Sequence, residues 1–170
     1  MTQCHQSKKG FELIMLGDVQ NQEKFLSVGF EKGTRELAVW DIRQCSSPLE
    51  KQVIDRSSSF LLPFTDPGTG LIFLIEKVFD EFLTNLKGST VFIYESLQME
   101  PHIEKIGTHQ LSNPALSACM LPRHIRDTDI CEVSKLLVLA KDRLNSVSMI
   151  VPRKNVVFLQ YVHLLERTIS

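Results

Sequence analysis

Paired cysteines are absent from this sequence. Its four cysteines, Cys4, Cys45, Cys119 and Cys131, stand far apart, and none forms a CxxC pair or has histidines at zinc-finger spacing. Zinc fingers and CxxC redox motifs require such spacings, so the pattern excludes both. We therefore expect reduced thiols in a cytosolic protein.

A strong charge of either sign is also missing. The 170 residues carry 19 Lys and Arg against 20 Asp and Glu, and the net charge of −1 gives no overall attraction to nucleic acid or to a membrane surface. The longest apolar runs, such as LLVLA at 136–140, are too short to cross a bilayer. The polar N-terminal segment 1–10, MTQCHQSKKG, lacks the apolar stretch of a signal peptide. We expect one domain that binds no nucleic acid and does not insert into membranes.

No catalytic motif is present. The sequence has no G-x-S-x-G, no P-loop and no HExxH, and nothing ties His102, His109, Asp127 or Asp129 to a nucleophile. The five histidines are scattered singly, which favours surface or turn positions over metal ligation. The sequence therefore predicts no catalytic residue, no cofactor, no metal site and no enzyme activity.

Short β-type runs fill most of the chain. Val, Ile, Phe and Leu dominate the runs, whereas Gly, Pro, Asp, Asn and Ser fill the gaps between them. The gap TDPGTG at 65–70 is an especially clear turn. Ten or eleven strands are predicted, and they indicate an all-β protein. The runs cover 11–16, 24–30, 36–42, 49–55, 59–64, 70–75, 89–96, 102–109, 115–121, 134–140 and 146–152.

The runs also group into repeats. Trp40-Asp41 and Tyr94-Glu95, an aromatic residue followed by an acid, close two of the groups and lie 54 residues apart. A WD-type propeller blade repeats every 40–45 residues or so. The excess falls within 76–88, where apolar residues at helical spacing predict a short amphipathic helix near 77–87. An ordinary long hairpin loop is the alternative. The C-terminal residues 156–170 fit either a helical face or a strand, VVFLQYV.

The order of these motifs resembles the coronin propeller. The matching residues are Gly29-Phe30, Arg35-Glu36, Trp40-Asp41, Leu61 to Phe64, Asp66-Pro67, Thr69, Phe92 to Glu95, and Val151 to Lys154. The likeness covers about residues 10 to 154. The sequence departs from this pattern in two places. The insertion at 76–88 replaces a tight hairpin, and the residues after Lys154 do not follow the family's pattern.

The resemblance implies a fold and a division of the chain. The fold is an all-β, partial WD-type propeller of close to three four-stranded blades, at about 11–45, 46–98 and 99–154, followed by a C-terminal extension at 155–170. Trp40, Asp41, Tyr94 and Glu95 would then be structural blade positions, with the indole of Trp40 filling the gap between neighbouring blades.

The implied function is that of a non-enzymatic scaffold that binds actin filaments. Other cytoskeletal proteins are further candidate partners, and the implied location is the cytoplasm and the cytoskeleton. Arg123, Arg126, Arg153 and Lys154 are candidate actin contacts, because actin filaments are acidic. Solvated loops are the alternative for these residues. An adaptor in vesicle trafficking and a truncated product without independent function are the alternative functions. Since three blades make an open arc, we expect the isolated chain to self-associate and to bind actin weakly or not at all.

Overall fold

Twelve β-strands make up most of the described chain. The computed structural model describes residues 5, 9–17, 23–66, 68–78, 88–127, 129–150 and 163–169, the last of these as backbone alone. In chain order the strands are β1 Glu12–Leu16, β2 Lys24–Glu31, β3 Thr34–Asp41, β4 Glu50–Asp55, β5 Phe60–Asp66, β6 Leu71–Lys77, β7 Thr90–Ser96, β8 Ile103–Gln110, β9 Ser117–Met120, β10 Glu132–Leu139, β11 Leu144–Ile150 and β12 His163–Ile169.

The strands form three four-stranded antiparallel sheets in series. The first sheet has the order β1-β2-β3-β4, the second β5-β6-β7-β8 and the third β9-β10-β11-β12. β5 contacts both β1 and β9, so the first strands of the three sheets lie together at the inside of an arc. The predicted all-β fold of close to three four-stranded blades is confirmed. One short 3₁₀ helix, Arg123–Ile125, precedes β10.

Tight turns join neighbouring strands where the sequence predicted breaks. Lys32 and Gly33, with φ of 48° and 85°, form the two-residue connection between β2 and β3. Two positive φ angles suit the right-handed twist of a hairpin, and glycine adopts them without strain. In the predicted turn TDPGTG, the Asp66 carbonyl accepts hydrogen bonds from the Thr69 and Gly70 N–H groups at 3.2 and 3.0 Å.

The second sheet is buried on both faces. Ile72, Leu74 and Tyr94 belong to the core shared with the first sheet. Phe73 and Ile75 belong to the core shared with the third. Since side chains alternate along a strand, burial of both faces accounts for the unbroken apolar run LIFLI of β6.

The sheets have different bounds from the predicted blades. The first two include one more strand after the strand that carries the aromatic residue, and the third includes one more after β11, so the sheets extend over 12–55, 60–110 and 117–169. The predicted extension 155–170 therefore contains β12, which pairs with β11 and completes the third sheet. The predicted strand VVFLQYV, 156–162, lies outside the described residues, and the structure shows a strand directly after it at His163–Ile169.

The predicted helix near 77–87 lies almost entirely outside the described residues. Its flanks are described, and both approach the connection between β8 and β9. The Val78 N–H donates to the Ala115 carbonyl at 2.9 Å. The Ala115 N–H donates to the Ser89 hydroxyl at 2.7 Å. In the described part of the chain, no helix is long and apolar enough to cross a membrane.

Candidate functional site

A buried arginine links the first sheet to the second. Arg35 on β3 has a side chain that is only 2% exposed. Its Nε and Nη2 donate to the two carboxylate oxygens of Asp55, at 2.6 and 2.5 Å. Its Nη1 donates to Glu76 Oε1 on β6 at 3.1 Å, and the guanidinium lies 5.5 Å from the centre of the Phe92 ring. Two acids thus compensate the buried cation, and one of them belongs to the neighbouring sheet.

A buried carboxylate links the second sheet to the third. Asp66, at the end of β5, has a side chain that is 1% exposed. Arg123 donates to its Oδ1 through Nε at 3.0 Å and Nη2 at 2.9 Å. Arg126 Nη2 lies 2.9 Å from Oδ2, and the hydroxyls of Ser134 and Thr69 donate to the same oxygen at 3.0 and 2.9 Å. Thr69 and the Gly68 N–H, which donates to Oδ1 at 3.4 Å, belong to the turn of the second sheet, whereas Arg123, Arg126 and Ser134 lie beyond it, so this carboxylate fixes the third sheet against the second.

The Asp66 carboxyl is held in its charged form. Burial raises its pKa, but hydrogen bonds from Arg126, Thr69 and Ser134 and the charge of Arg126 lower it by more, so the pKa lies below its ordinary value. An ionised acid is therefore part of the folded structure at neutral pH.

A polar cluster holds His5 against the face of the first sheet that points away from the second. His5, 6% exposed, has its Nδ1 2.5 Å from Glu36 Oε1 and its Nε2 2.9 Å from Ser27 Oγ. The Trp40 Nε1–H donates to the same Ser27 hydroxyl oxygen at 2.8 Å. A Cβ at Gly29 would come 2.7 Å from His5 Cδ2, so only glycine leaves room for the imidazole. The expected surface or turn position for the histidines is wrong for His5, because the fold supplies it with buried partners.

The two predicted aromatic blade positions are both buried. Trp40 and Tyr94 are each 2% exposed. Tyr94 lies in the core between the first and second sheets, and burial raises its pKa to about 12. Val39 contributes to that same core, so alternation places Trp40 on the opposite face of its sheet, where it stacks on Phe25 with ring centres 6.0 Å apart. Between the described sheets the gap is therefore filled by Tyr94 rather than by the indole.

The acids that follow these aromatics have local roles. Asp41 accepts hydrogen bonds from the N–H and guanidinium of Arg43, which lower the pKa of Asp41 to about 2. Glu95 is half-buried and lies opposite Leu71 and Glu104 in the sheet register. Neither carboxylate reaches a neighbouring sheet through a contact within the described chain.

The structure places two of the four candidate actin contacts. Arg123 and Arg126 both bind Asp66, with side chains that are 53% and 11% exposed. Arg123 therefore keeps surface for a partner, whereas Arg126 offers little. Arg153 and Lys154 lie outside the described residues.

The acids, thiols and buried charges of the described chain define what this arrangement can do chemically. Within the described ranges, no group of three or more His, Cys, Asp or Glu side chains is placed to hold a metal ion. Cys45, Cys119 and Cys131 are free thiols. Two of the buried charged groups, Arg35 and Asp66, each pair with a residue of a neighbouring sheet, which is a structural use of charge.

Comparison with known proteins gives one consistent result. No family model matches the sequence. Coronin-A of Dictyostelium discoideum is 30% identical over 156 residues, which is 91% of this chain and 32% of that protein. Coronin-2A of Mus musculus is 28% identical over 147 residues, 85% of this chain and 26% of the relative. The crystal structure of the WD40 domain of Toxoplasma gondii coronin matches with a TM-score of 0.76 and 26% identity, over 89% of this chain and 37% of that one.

The chain is a coronin-like WD-repeat scaffold. The resemblance stated from the sequence is confirmed, and the partial WD-type propeller with it. The coronin-like chain spans about a third of the length of Coronin-A and somewhat more than a third of the matched WD40 chain. What whole coronins do therefore enters below only as a proposal.

Sequence reasoning did not find the buried charges that connect the sheets of this coronin-like chain. Arg35 and Asp66 were noticed as parts of motifs, but their partners Glu76 and Arg126 lie 41 and 60 residues away. A charged residue beside a strongly apolar strand was the available signal, since such residues are buried only when paired. No signal pointed to His5.

Proposed function

We propose that this chain is a non-enzymatic scaffold that binds actin filaments, as the resemblance to coronins implies. The observation that supports the proposal most is the likeness to a coronin WD40 domain over 89% of the chain. Actin filaments are acidic, so exposed basic side chains on the rim of the arc suit them as contacts. We place the protein in the cytoplasm, on the cytoskeleton, and expect no nucleic acid partner and no membrane insertion.

Among the candidate contacts, Arg123 has the geometry that fits this role. About half of its side chain is exposed while its guanidinium is held by Asp66. A fixed cation loses less side-chain freedom on binding than a mobile one. Arg153 and Lys154 remain candidate contacts on the resemblance alone, and Arg126 supports Arg123 through their shared carboxylate.

Co-sedimentation with actin filaments tests the proposal. We expect weak binding that falls further as salt rises, because the contacts are charged. The variant Arg123→Gln and the double variant Arg153→Ala, Lys154→Ala should each reduce the pelleted fraction. Lys141→Gln is the matched control, since Lys141 is an exposed cation on a different loop. Pelleting no greater than that without actin, at every filament concentration, contradicts the proposal.

The two alternative functions give different results. An adaptor in vesicle trafficking would remain folded and would show no actin pelleting. A product without independent function would show no cooperative thermal transition followed by circular dichroism. No contact in the described residues favours either of them over actin binding.

A further inference from the structure

A basic cavity lies at one end of the first sheet. It has a volume of about 350 Å³ and is lined by Lys9, Phe30, Gly33 and the segment 56–58. Gly33 belongs to the β2–β3 turn, and 56–58 belongs to the connection between β4 and β5, so the cavity lies where the two sheets meet. Ligand pockets in proteins begin at about this volume.

Two cations, Lys9 and Arg56, line the cavity. Lys9 Nζ donates to the Ser58 carbonyl at 3.1 Å and lies 4.5 Å from the centre of the Phe30 ring. Arg56 is exposed, and it forms no ion pair with another residue of the described chain. Lys32 adds a third positive charge beside Gly33. An anion in the cavity would therefore find an arginine fork and an ammonium group together.

No carboxylate is among the described residues that line this cavity. Asp55 and Glu76 both accept hydrogen bonds from the buried Arg35. Glu12 lines a separate and much smaller cavity that shares Phe30 with this one. The charge left available to a ligand is therefore positive.

The serine-rich connection is held rigid beside the two cations. The Ser57 hydroxyl donates to Glu76 Oε1 and accepts from the Ser59 N–H, both at 3.3 Å. The Ser59 carbonyl accepts from Arg35 at 3.3 Å. Within the described chain, neither the hydroxyl nor the N–H of Ser58 donates to another residue. A fixed loop thus offers two further donors at the cavity, and a rigid site costs less ordering on binding.

We propose that this cavity binds a phosphorylated serine or threonine side chain of a partner peptide. A phosphate carries a charge between −1 and −2 at neutral pH and three strong acceptor oxygens, which suit an arginine fork, an ammonium group and the Ser58 donors together. A carboxylate has only two oxygens and would leave part of this donor set unused. Phe30 gives the cavity an apolar wall for the side chain that carries the phosphate.

A peptide suits the surroundings better than a membrane surface. Lipid recognition by charge usually requires clusters of four to eight or so basic residues. Only three basic residues are described around this cavity, and the whole chain has a net charge of −1. The nearly neutral chain therefore adds no overall attraction to an anionic membrane.

Fluorescence anisotropy on the whole 170-residue chain tests the proposal. The probe is a labelled Gly- and Ser-rich peptide with one phosphoserine, compared with the same peptide carrying Ser or Glu at that position. Arg56→Gln and Lys9→Gln are the test variants, and Lys141→Gln is the matched control. Ser58→Glu, which places a negative charge at the cavity, is a further test variant. All four positions are exposed, and thermal melts verify that each variant folds.

We expect the phosphopeptide alone to bind, with affinity reduced about tenfold by Arg56→Gln or Lys9→Gln and abolished by Ser58→Glu. Lys141→Gln should leave the affinity unchanged. Binding should weaken as salt rises from about 50 to about 300 mM. Self-association does not prevent the measurement, because each copy of the chain has its own cavity.

Three results overturn the proposal. One is equal binding of the phosphopeptide, the Ser peptide and the Glu peptide at chain concentrations up to about 1 mM, which is the weakest dissociation constant the test considers. A second is unchanged affinity in Arg56→Gln. A third is binding to phosphoinositide vesicles with none to the peptide, which would assign the cavity to a lipid headgroup. Actin co-sedimentation is independent of all three, so failure of the actin proposal and failure of this one are distinguishable.

Discussion

Asp66→Asn removes the charge at the junction of the second and third sheets and leaves the side-chain shape almost unchanged. The asparagine retains one oxygen for the Ser134 hydroxyl or for an arginine. The amide group that replaces the other oxygen is a donor, and it meets the donors of Arg123 or Arg126. The junction therefore loses two ion pairs and gains a contact between donors.

The cost follows from the exposure of the two arginines. Removing one partner of a fully buried ion pair costs about 3–5 kcal/mol. Arg123 is 53% exposed, so water can replace its lost acceptor. Arg126 is 11% exposed and its Nε already has no acceptor in the described chain, so it is left poorly solvated. We expect Asp66→Asn to lower the free energy of unfolding by about 2–3 kcal/mol, below the full range because one arginine rehydrates.

Urea unfolding followed by circular dichroism measures this cost. Arg126→Met and the double variant complete a thermodynamic cycle, and a coupling energy above about 1 kcal/mol is expected between residues in one network. Asp142→Asn is the control, because Asp142 is exposed and pairs only with the neighbouring Arg143. It should leave the midpoint unchanged. A cost under about 1 kcal/mol for Asp66→Asn, the range of ordinary surface changes, would refute the structural role of the carboxylate.

The difference in unfolding free energy between the wild type and Asp66→Asn should depend on pH. The pKa of Asp66 is lower in the folded state than in the unfolded chain. Its contribution is therefore fully present above the unfolded pKa of about 4 and is lost as the pH falls through the folded pKa. The difference in unfolding free energy between wild type and Asp66→Asn should hold at neutral pH and narrow below about pH 4. A difference that stays constant into acid would contradict the assigned ionisation.

Four further predictions concern the rest of the arc. Trp40→Ala should lower the free energy of unfolding by about 3–5 kcal/mol in urea melts, as buried aromatic truncations do. Arg35→Met removes the partner that Asp55 and Glu76 share. It should lower the free energy of unfolding by about 2–4 kcal/mol, which is less than two fully buried unpaired acids would cost, because both acids are partly exposed. Replacing 79–87 with two glycines should preserve the β-sheet signal in circular dichroism, since both flanks approach Ala115. Light scattering after size exclusion should show self-association that Leu13→Lys reduces, because Leu13 is 54% exposed on the outer face of the first sheet. A sharp monomer peak for the wild type would contradict this last expectation.

The strands were predictable because their signals are local. Alternating or continuous apolar residues, bounded by glycine, proline and serine, located eleven of the twelve strands to within a few residues of their observed ends. The turn between Asp66 and Gly70 followed from its residue types in the same way. The number of sheets followed from the count of strands.

Features that depend on distant partners were not predictable. Nothing local shows that His5 meets Ser27 and Glu36, which are 22 and 31 residues away. The neighbour that Trp40 meets was not predictable for a related reason, because a strand has two buried faces here and the sequence does not state which neighbour each face meets. The tail 156–170, which contains β12, remained ambiguous because a short apolar run suits a helix or a strand equally.

The buried charges also account for the order in which the sheets pack. The second sheet supplies an acid to each junction, since Glu76 meets Arg35 of the first sheet, which Asp55 also binds, and Asp66 meets Arg126 before the third. The two outer sheets therefore present cations toward the second. If the first sheet packed against the third in the same manner, Arg35 and Arg126 would approach each other as like charges in a site with little water. Like charges brought together with little water are costly, even though Arg35 would keep Asp55 as a partner, so this arrangement disfavours the wrong order. The short connections 56–59 and 111–116 already make consecutive sheets neighbours, and the charges reinforce that order.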